Sequence, residues 1–141
     1  MLKKDELDRI SETIRLAESN TSGEICVYVA RKCKGDPLDS AYNKFVQLKM
    51  DSTELRNSVL IYVSPADHKS AIYADKGINM LINRPDFWKE TLDLMLSYFK
   101  EEQIFEGIRK GVLKTGEALK ELYPVSENDI NELDNDVIIE E

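Results

Sequence analysis

Three short polar groups carry the residue types from which a binding or catalytic site is built: Thr21-Ser22-Gly23-Glu24, Arg56-Asn57 and Asp75-Lys76-Gly77. They supply two carboxylates, a guanidinium, an ammonium, an amide and two hydroxyls. Two carboxylates that meet suit a hard cation, Ca²⁺ or Mg²⁺, because such ions take oxygen ligands. The expected metal donors are Glu24, Asp75 and Asn57. Arg56 offers the two-pronged geometry that holds a phosphate, and Lys76 adds a second positive charge. Ser22, Gly23 and Gly77 complete the expected anion subsite, the glycines by letting backbone N–H groups come close. The alternative is ordinary strand-end capping with surface ion pairs, each worth about 0–1 kcal/mol. No nucleophile–base pair stands out, and the three groups lie far apart in the chain, so their chemistry depends on a fold that gathers them.

The pattern of the chain predicts such a fold. Ser58–Ser64 is a β-branched and aromatic run, and 69–74 alternates with period two. The turn residues Ser64-Pro65-Ala66-Asp67-His68 join them, so the two runs read as a β-hairpin. Upstream, Leu7, Ile10, Ile14 and Ala17 mark an amphipathic helix over 4–20, with Gly23 free to take a positive φ after its end. Residues 24–30 form a strand apolar on both faces, which predicts helices on both sides. Asp36-Pro37 reads as an N-cap with proline in the first helical position. That helix runs to about Met50 and buries Leu38, Ala41, Phe45 and Leu48. A strand–helix–strand unit crosses over right-handed, so strands 24–30 and 58–64 are expected to be parallel. The start of both strands and the end of the hairpin then share one sheet edge, where Glu24, Arg56-Asn57 and Asp75-Lys76-Gly77 all arrive.

Beyond the hairpin, Pro85 is expected to open a helix buried through Trp88, Leu92, Met95, Leu96 and Phe99. Residues 101–103 read as a break. A last helix runs from Ile104 to Tyr123, with Gly107 and Gly111 explained by close packing. The fold class expected is α/β: a three-layer α/β/α sandwich with a small mixed sheet and a β-hairpin.

The chain has 141 residues and a net charge of −8, which suits one domain with one core. Seven acids and no base fall within Ser126–Glu141, so the body is near neutral. The expected division is an α/β domain over 1–125 and an acidic, flexible tail over 126–141, with docking of Val137-Ile138-Ile139 as an edge strand as the alternative. No basic stripe exists, which argues against a nucleic-acid partner. No apolar run approaches membrane-spanning length and the first residues are no signal peptide, so a cytoplasmic protein without membrane insertion is expected. Cys26 and Cys33 fit free thiols, and one histidine with no second cysteine pair argues against zinc. The opposite sheet edge, beyond the carboxyl ends of the parallel strands, offers a rival site with Arg31, Lys32, Cys33, Lys34, Asp36, Asp67 and His68. There Cys33 beside three cations is a candidate reactive thiol of lowered pKa, with a merely exposed thiol as the alternative, and His68 reads as a solvated turn residue.

At these residues the chain resembles the TPM domain family, whose name joins a thylakoid-lumen acid phosphatase, a photosystem II repair protein and a modulator of acetylcholine receptors. The matching motifs are Thr21-Ser22-Gly23-Glu24-Ile25, Arg56-Asn57-Ser58 through Val63, Asp75-Lys76-Gly77-Ile78, and Phe105-Glu106-Gly107-Ile108 with Gly111. The likeness spans about Leu7 to Pro124. It implies an α/β/α sandwich and, as in some members, phosphatase activity and Ca²⁺ binding, with Glu24, Asn57 and Asp75 on the family's polar cleft. Ser58 departs from the glycine common there, and its side chain is expected to narrow backbone access. Many bacterial relatives carry a signal peptide and a membrane helix; this chain resembles the short stand-alone form. The alternative function is a non-catalytic module that regulates a protein partner in a membrane-associated assembly.

Overall fold

Two apolar strands set the middle of the molecule. In the computed structural model, which describes residues 2–82, 84–125 and 137–140, β1 (Glu24–Val29) and β2 (Ser58–Ser64) lie side by side and parallel. β3 (Lys69–Ala74) returns antiparallel to β2 through a 3₁₀ turn at Pro65–Asp67. A short fourth strand, β4 (Val137–Ile139), pairs parallel with the other edge of β1, in register with Val27–Val29. The order across the mixed sheet is β3-β2-β1-β4.

Period-two alternation gives the sheet two apolar faces, and each is covered. Ile25, Val27, Val29, Val59, Ile61 and Val63 face one layer of helices. That layer holds α1 (Lys4–Glu18), a six-residue helix α3 (Lys76–Leu81), α4 (Lys89–Lys100) and α5 (Ile104–Leu122). Ile14, Met95, Phe99, Ile108 and Leu119 are fully buried there. Each such side chain contributes about 1.5–3 kcal/mol through burial. Cys26, Tyr28, Leu60 and Tyr62 face the second layer, where α2 (Pro37–Gln47) lies over them through Ala41 and Phe45. The architecture is a three-layer α/β/α sandwich.

Several elements differ in detail from the sequence reading. α2 begins as expected: the Asp36 carboxylate accepts the Leu38 N–H at 2.8 Å and Pro37 is the first helical residue. It ends at Gln47 rather than near Met50, because Lys49 turns left-handed (φ 57°) into a 3₁₀ turn over Met50–Ser52. Pro85 does not open a helix. Residues 85–88 form a turn and α4 starts at Lys89; the fixed φ of proline suits a turn as well as a helix start. α3 was not anticipated. The break at 101–103 is present, with Glu102 at φ 60°. Gly23 does not take a positive φ; it is needed for space, since a Cβ there would sit 2.9 Å from Leu119 Cδ1 and 3.2 Å from the Asn57 carbonyl oxygen. Of the expected acidic tail, Val137–Ile139 dock as the edge strand β4, while 126–136 and 141 lie outside the described residues.

Candidate functional site

Sheet topology brings the three polar groups to one end. Glu24 stands opposite Ser58 in the β1–β2 register, and the Asp75 N–H donates to the Ser58 carbonyl at 3.0 Å. Glu24, Ser58 and Asp75 therefore form a row across three strands, with the acids two strand spacings apart, roughly 10 Å at the backbone. All three are buried; Glu24 is 5% and Asp75 2% exposed. Between the acids, the Ser58 hydroxyl donates to the Met50 carbonyl at 2.6 Å, so the 3₁₀ turn closes over the row. Ser58 thus ties a loop to the sheet edge.

Asp75 is the most heavily engaged residue of the set. Arg56 donates to it through Nε at 2.7 Å and through Nη2 at 2.8 Å, a two-point fork onto both carboxylate oxygens. The Lys76 backbone N–H donates to Oδ1 at 2.8 Å, so Asp75 also caps α3. Bonding to Asp75, the largest cause, and its charge raise the guanidinium pKa above its ordinary value. The backbone of Arg56 is left-handed (φ 51°), an unusual conformation for a side-chain-bearing residue and one associated with functional loops. It is held by Gly77, whose N–H donates to the Arg56 carbonyl at 3.0 Å. A Cβ on Gly77 would lie 2.5 Å from that carbonyl oxygen and closer still to that of Leu55. The Arg56 side chain remains 33% exposed and Lys76 is exposed.

The other expected residues brace this end. Asn57 donates its side-chain N–H to the Ser22 carbonyl at 3.3 Å, its backbone N–H to Thr53 Oγ1 at 3.3 Å, and accepts the Glu24 N–H on its carbonyl. Ser22 donates its N–H to the Tyr123 carbonyl. Gly23 donates its N–H to Thr21 Oγ1 at 3.0 Å, and Thr21 in turn donates its hydroxyl to the Leu119 and Tyr123 carbonyls. The N–H groups of Gly23 and Gly77, expected to approach a ligand, are therefore both bonded within the protein. Among the described residues, no three His, Cys, Asp or Glu side chains are grouped so as to hold a metal ion.

The rival edge is occupied by structural bonds. Asp67 accepts the Cys33 N–H at 2.6 Å and the Ser64 hydroxyl at 2.9 Å, and these bonds, the first the larger, lower its pKa. Lys69 donates to the carbonyls of Cys33 and Gly35. Cys33 is buried, which makes it an inert thiol rather than a reactive one. His68 caps the hairpin turn and meets Glu102 at 3.0 Å, both exposed.

A TPM domain profile matches residues 1–118. The chain belongs to the TPM domain family. Its fold is similar to that of the BA42 protein from the psychrophilic bacterium Bizionia argentinensis, at 40% identity and a TM-score of 0.89, over 99% of this chain and 96% of that one. The N-terminal domain of a P. gingivalis protein shares the fold at 14% identity and a TM-score of 0.71, covering 90% of this chain and 83% of that chain. So does the N-terminal domain of cg2496 from Corynebacterium glutamicum, at 8% identity and a TM-score of 0.66, covering 94% and 82%. No curated protein matches the chain. Among the described residues of this TPM domain, no helix is long and apolar enough to cross a membrane.

Proposed function

We propose that this TPM domain is phosphatase-like and that the sheet edge holding Glu24, Arg56 and Asp75 is its ligand-binding end. The observation that carries the reading is the Arg56–Asp75 fork. A guanidinium that grips a carboxylate at two points has the geometry to grip a phosphate in the same way. Arg56 is the exposed partner of the pair, so it is the one that can turn to an anion; Lys76 lies exposed beside it. The donor set suits a hard divalent cation, since it consists of oxygens: the carboxylates of Glu24 and Asp75, and the amide oxygen of Asn57, whose nitrogen faces Ser22. Bound there, Ca²⁺ or Mg²⁺ would neutralise phosphate charge and activate water. Asp75 belongs to both arrangements. With Arg56 it is a neutral pair; without Arg56 it is an anion free to take a cation. Ser22, Gly23 and Gly77 set the loop shapes that aim these groups.

The test pairs melting temperature with hydrolysis of a phosphate monoester, for wild type and Asp75→Asn, with and without millimolar Ca²⁺ or Mg²⁺. Wild type should gain stability from the ion by binding linkage and Asp75→Asn should not. A wild-type protein indifferent to both ions removes the cation from the reading, and absence of hydrolysis removes the phosphatase.

A second reading, a non-catalytic module that binds a protein partner, is favoured by one feature of the same end. Leu55, Met80 and Leu81 are 54%, 81% and 50% exposed, on the loop that carries Arg56 and on the helix that follows Asp75. Exposed apolar side chains gathered beside charged ones mark contact surfaces. Met80→Glu should then weaken partner binding while ion response and hydrolysis stay as in wild type.

A further inference from the structure

One edge of β1 pairs with β2, and the other is filled by β4, a strand of three residues. The pairing is parallel, with Val27 opposite Val137, Tyr28 opposite Ile138 and Val29 opposite Ile139. The Glu140 N–H extends it by donating to the Val29 carbonyl at 2.9 Å. Successive side chains go to opposite faces of the sheet. Val137 packs into the layer of α1 and α5, and Ile138 into the layer of α2. Ile139 returns to the first face, where it lines a cavity of about 350 Å³ with Leu2, Leu7, Val29 and Ile104. Glu140 lies on the α2 side, where its carboxylate accepts the Tyr28 hydroxyl at 2.7 Å and the Arg31 backbone N–H at 3.0 Å. Those two bonds, the first the larger, lower its pKa, and the charges of Lys44 and Arg31 act in the same sense. The β1 edge thus recognises four consecutive positions, three apolar and one acidic.

Groove and occupant belong to different parts of the chain. Tyr28, Val29, Arg31 and Lys44 lie within the matched TPM span of residues 1–118, and β4 lies beyond it, after residues 126–136. The occupant also fills the groove incompletely. Val137 and Ile138 are half-buried, Ile139 is 37% exposed, and the cavity beside Ile139 has room for a larger side chain than isoleucine.

We propose that the β1 edge is a strand-addition site for a protein partner, and that β4 is its built-in competitor. The partner presents an extended segment, parallel to β1, of two apolar residues, a large apolar residue and an acid. Main-chain hydrogen bonds to an open sheet edge supply affinity, and pockets for alternate side chains supply sequence preference. A phenylalanine or methionine at the position of Ile139 reaches further into the cavity and buries more apolar surface there. The partner's carboxylate takes the place of Glu140 beneath the Tyr28 hydroxyl and the Arg31 N–H, with Lys44 and Arg31 as the complementary charge. Tethering gives β4 an effective concentration of about a millimolar, so the partner binds by displacing it, and binding is read out as release of β4.

The probe is the synthetic peptide Asp-Val-Ile-Phe-Glu-Glu, which repeats residues 136–141 with phenylalanine at the position of Ile139. It is titrated, with amide NMR, into the full chain and into the full-length double variant Ile138→Asp/Glu140→Lys, whose new lysine faces Lys44 and Arg31 and undocks β4. The variant should show saturable shifts at Val27, Tyr28 and Val29. Wild type should bind at least tenfold more weakly, and its Ile139 amide should leave the docked position as the peptide enters. A peptide with glutamine at the position of Glu140 should bind the variant about tenfold more weakly, the size of one partly screened charge contact. The proposal is overturned if the variant keeps the wild-type spectrum outside β1 and β4 yet does not bind, if wild type binds as tightly as the variant, or if the glutamine peptide binds equally well. If the variant does not fold, wild type at millimolar peptide decides: release of Ile139 supports the site, and an unmoved Ile139 overturns it.

Discussion

Replacing Gly77 by alanine is the sharpest single test of how the Arg56–Asp75 end is built. A Cβ at Gly77 would sit 2.5 Å from the Arg56 carbonyl oxygen, against an ordinary contact of 3.4 Å or more. Both atoms it meets most closely are backbone, so no side chain can swing aside. The first turn of α3 must retreat by about 1 Å, which breaks the 3.0 Å bond from the Gly77 N–H to Arg56. That movement also releases the left-handed Arg56 and misaligns its fork on Asp75. Overpacking of this kind costs about 1–3 kcal/mol and the lost hydrogen bond about 1 kcal/mol. Alanine's better helix propensity returns about 1 kcal/mol. The net is a loss of about 2 kcal/mol, or roughly 6–10 °C in melting temperature for a chain of this length. Gly35→Ala is the control, since nothing lies within 4 Å of a Cβ there. It should leave stability unchanged or slightly raised. Thermal denaturation by circular dichroism measures both, and the Arg56 Nε–H resonance reports the fork. If Gly77→Ala melts within a degree of wild type with that resonance unmoved, the close approach does not organise the site.

Other outcomes follow from the same contacts. Deleting Val137–Glu141 should lower the melting temperature by several degrees, because two half-buried side chains and the β4 hydrogen bonds are lost; an unchanged melt would mean that β4 contributes nothing. Glu140 titrates below its ordinary value of 4.5, so its contribution to β4 docking is present above that value and is lost as pH falls through its lowered pKa. Amide NMR of Ile139 against pH should show β4 releasing in acid, and Tyr28→Phe, which removes the largest cause of the shift, should move the midpoint upward. Gly107→Ala should destabilise more than Gly111→Ala: a Cβ at Gly107 would lie 2.5 Å from the buried Phe99 ring and 3.1 Å from the Met95 carbonyl oxygen, whereas at Gly111 it meets the flexible Met95 side chain. Equal melting temperatures for the two would refute that ranking. Cys33 should react with a thiol reagent only at the rate of local opening, and instant reaction in the folded state would show that it is not buried as described.

What could be read in advance was whatever repeats with a period or carries strong local chemistry. The runs at 24–30 and 58–64 show both faces apolar, Asp36-Pro37 shows a helix start, and a helical crossover makes the strands parallel; together these bring Glu24, Arg56 and Asp75 to one edge. What escaped were features defined by a partner distant in sequence. α3 spans less than two turns, too short for a stripe, and exists because Asp75 caps it and Gly77 lets it rest on Leu55-Arg56. The left-handed turn at Arg56 has no local signal, since the residue is neither glycine nor asparagine. β4 stands in the sequence only as the alternative to a flexible tail, because a three-residue strand cannot offset its own ordering cost without the ready edge of β1. Pro85 misled because one fixed φ serves two structures. The site itself lies between these classes. Its residue types were visible, but whether Asp75 is free or gripped depends on the side-chain direction of Arg56, and that is set by a backbone conformation imposed from Gly77, twenty-one residues further along the chain. The chemistry of this end is therefore a property of the contact between two loops, and a substitution that leaves every charged residue in place, such as Gly77→Ala, should change the response to anions and cations as surely as removing Asp75.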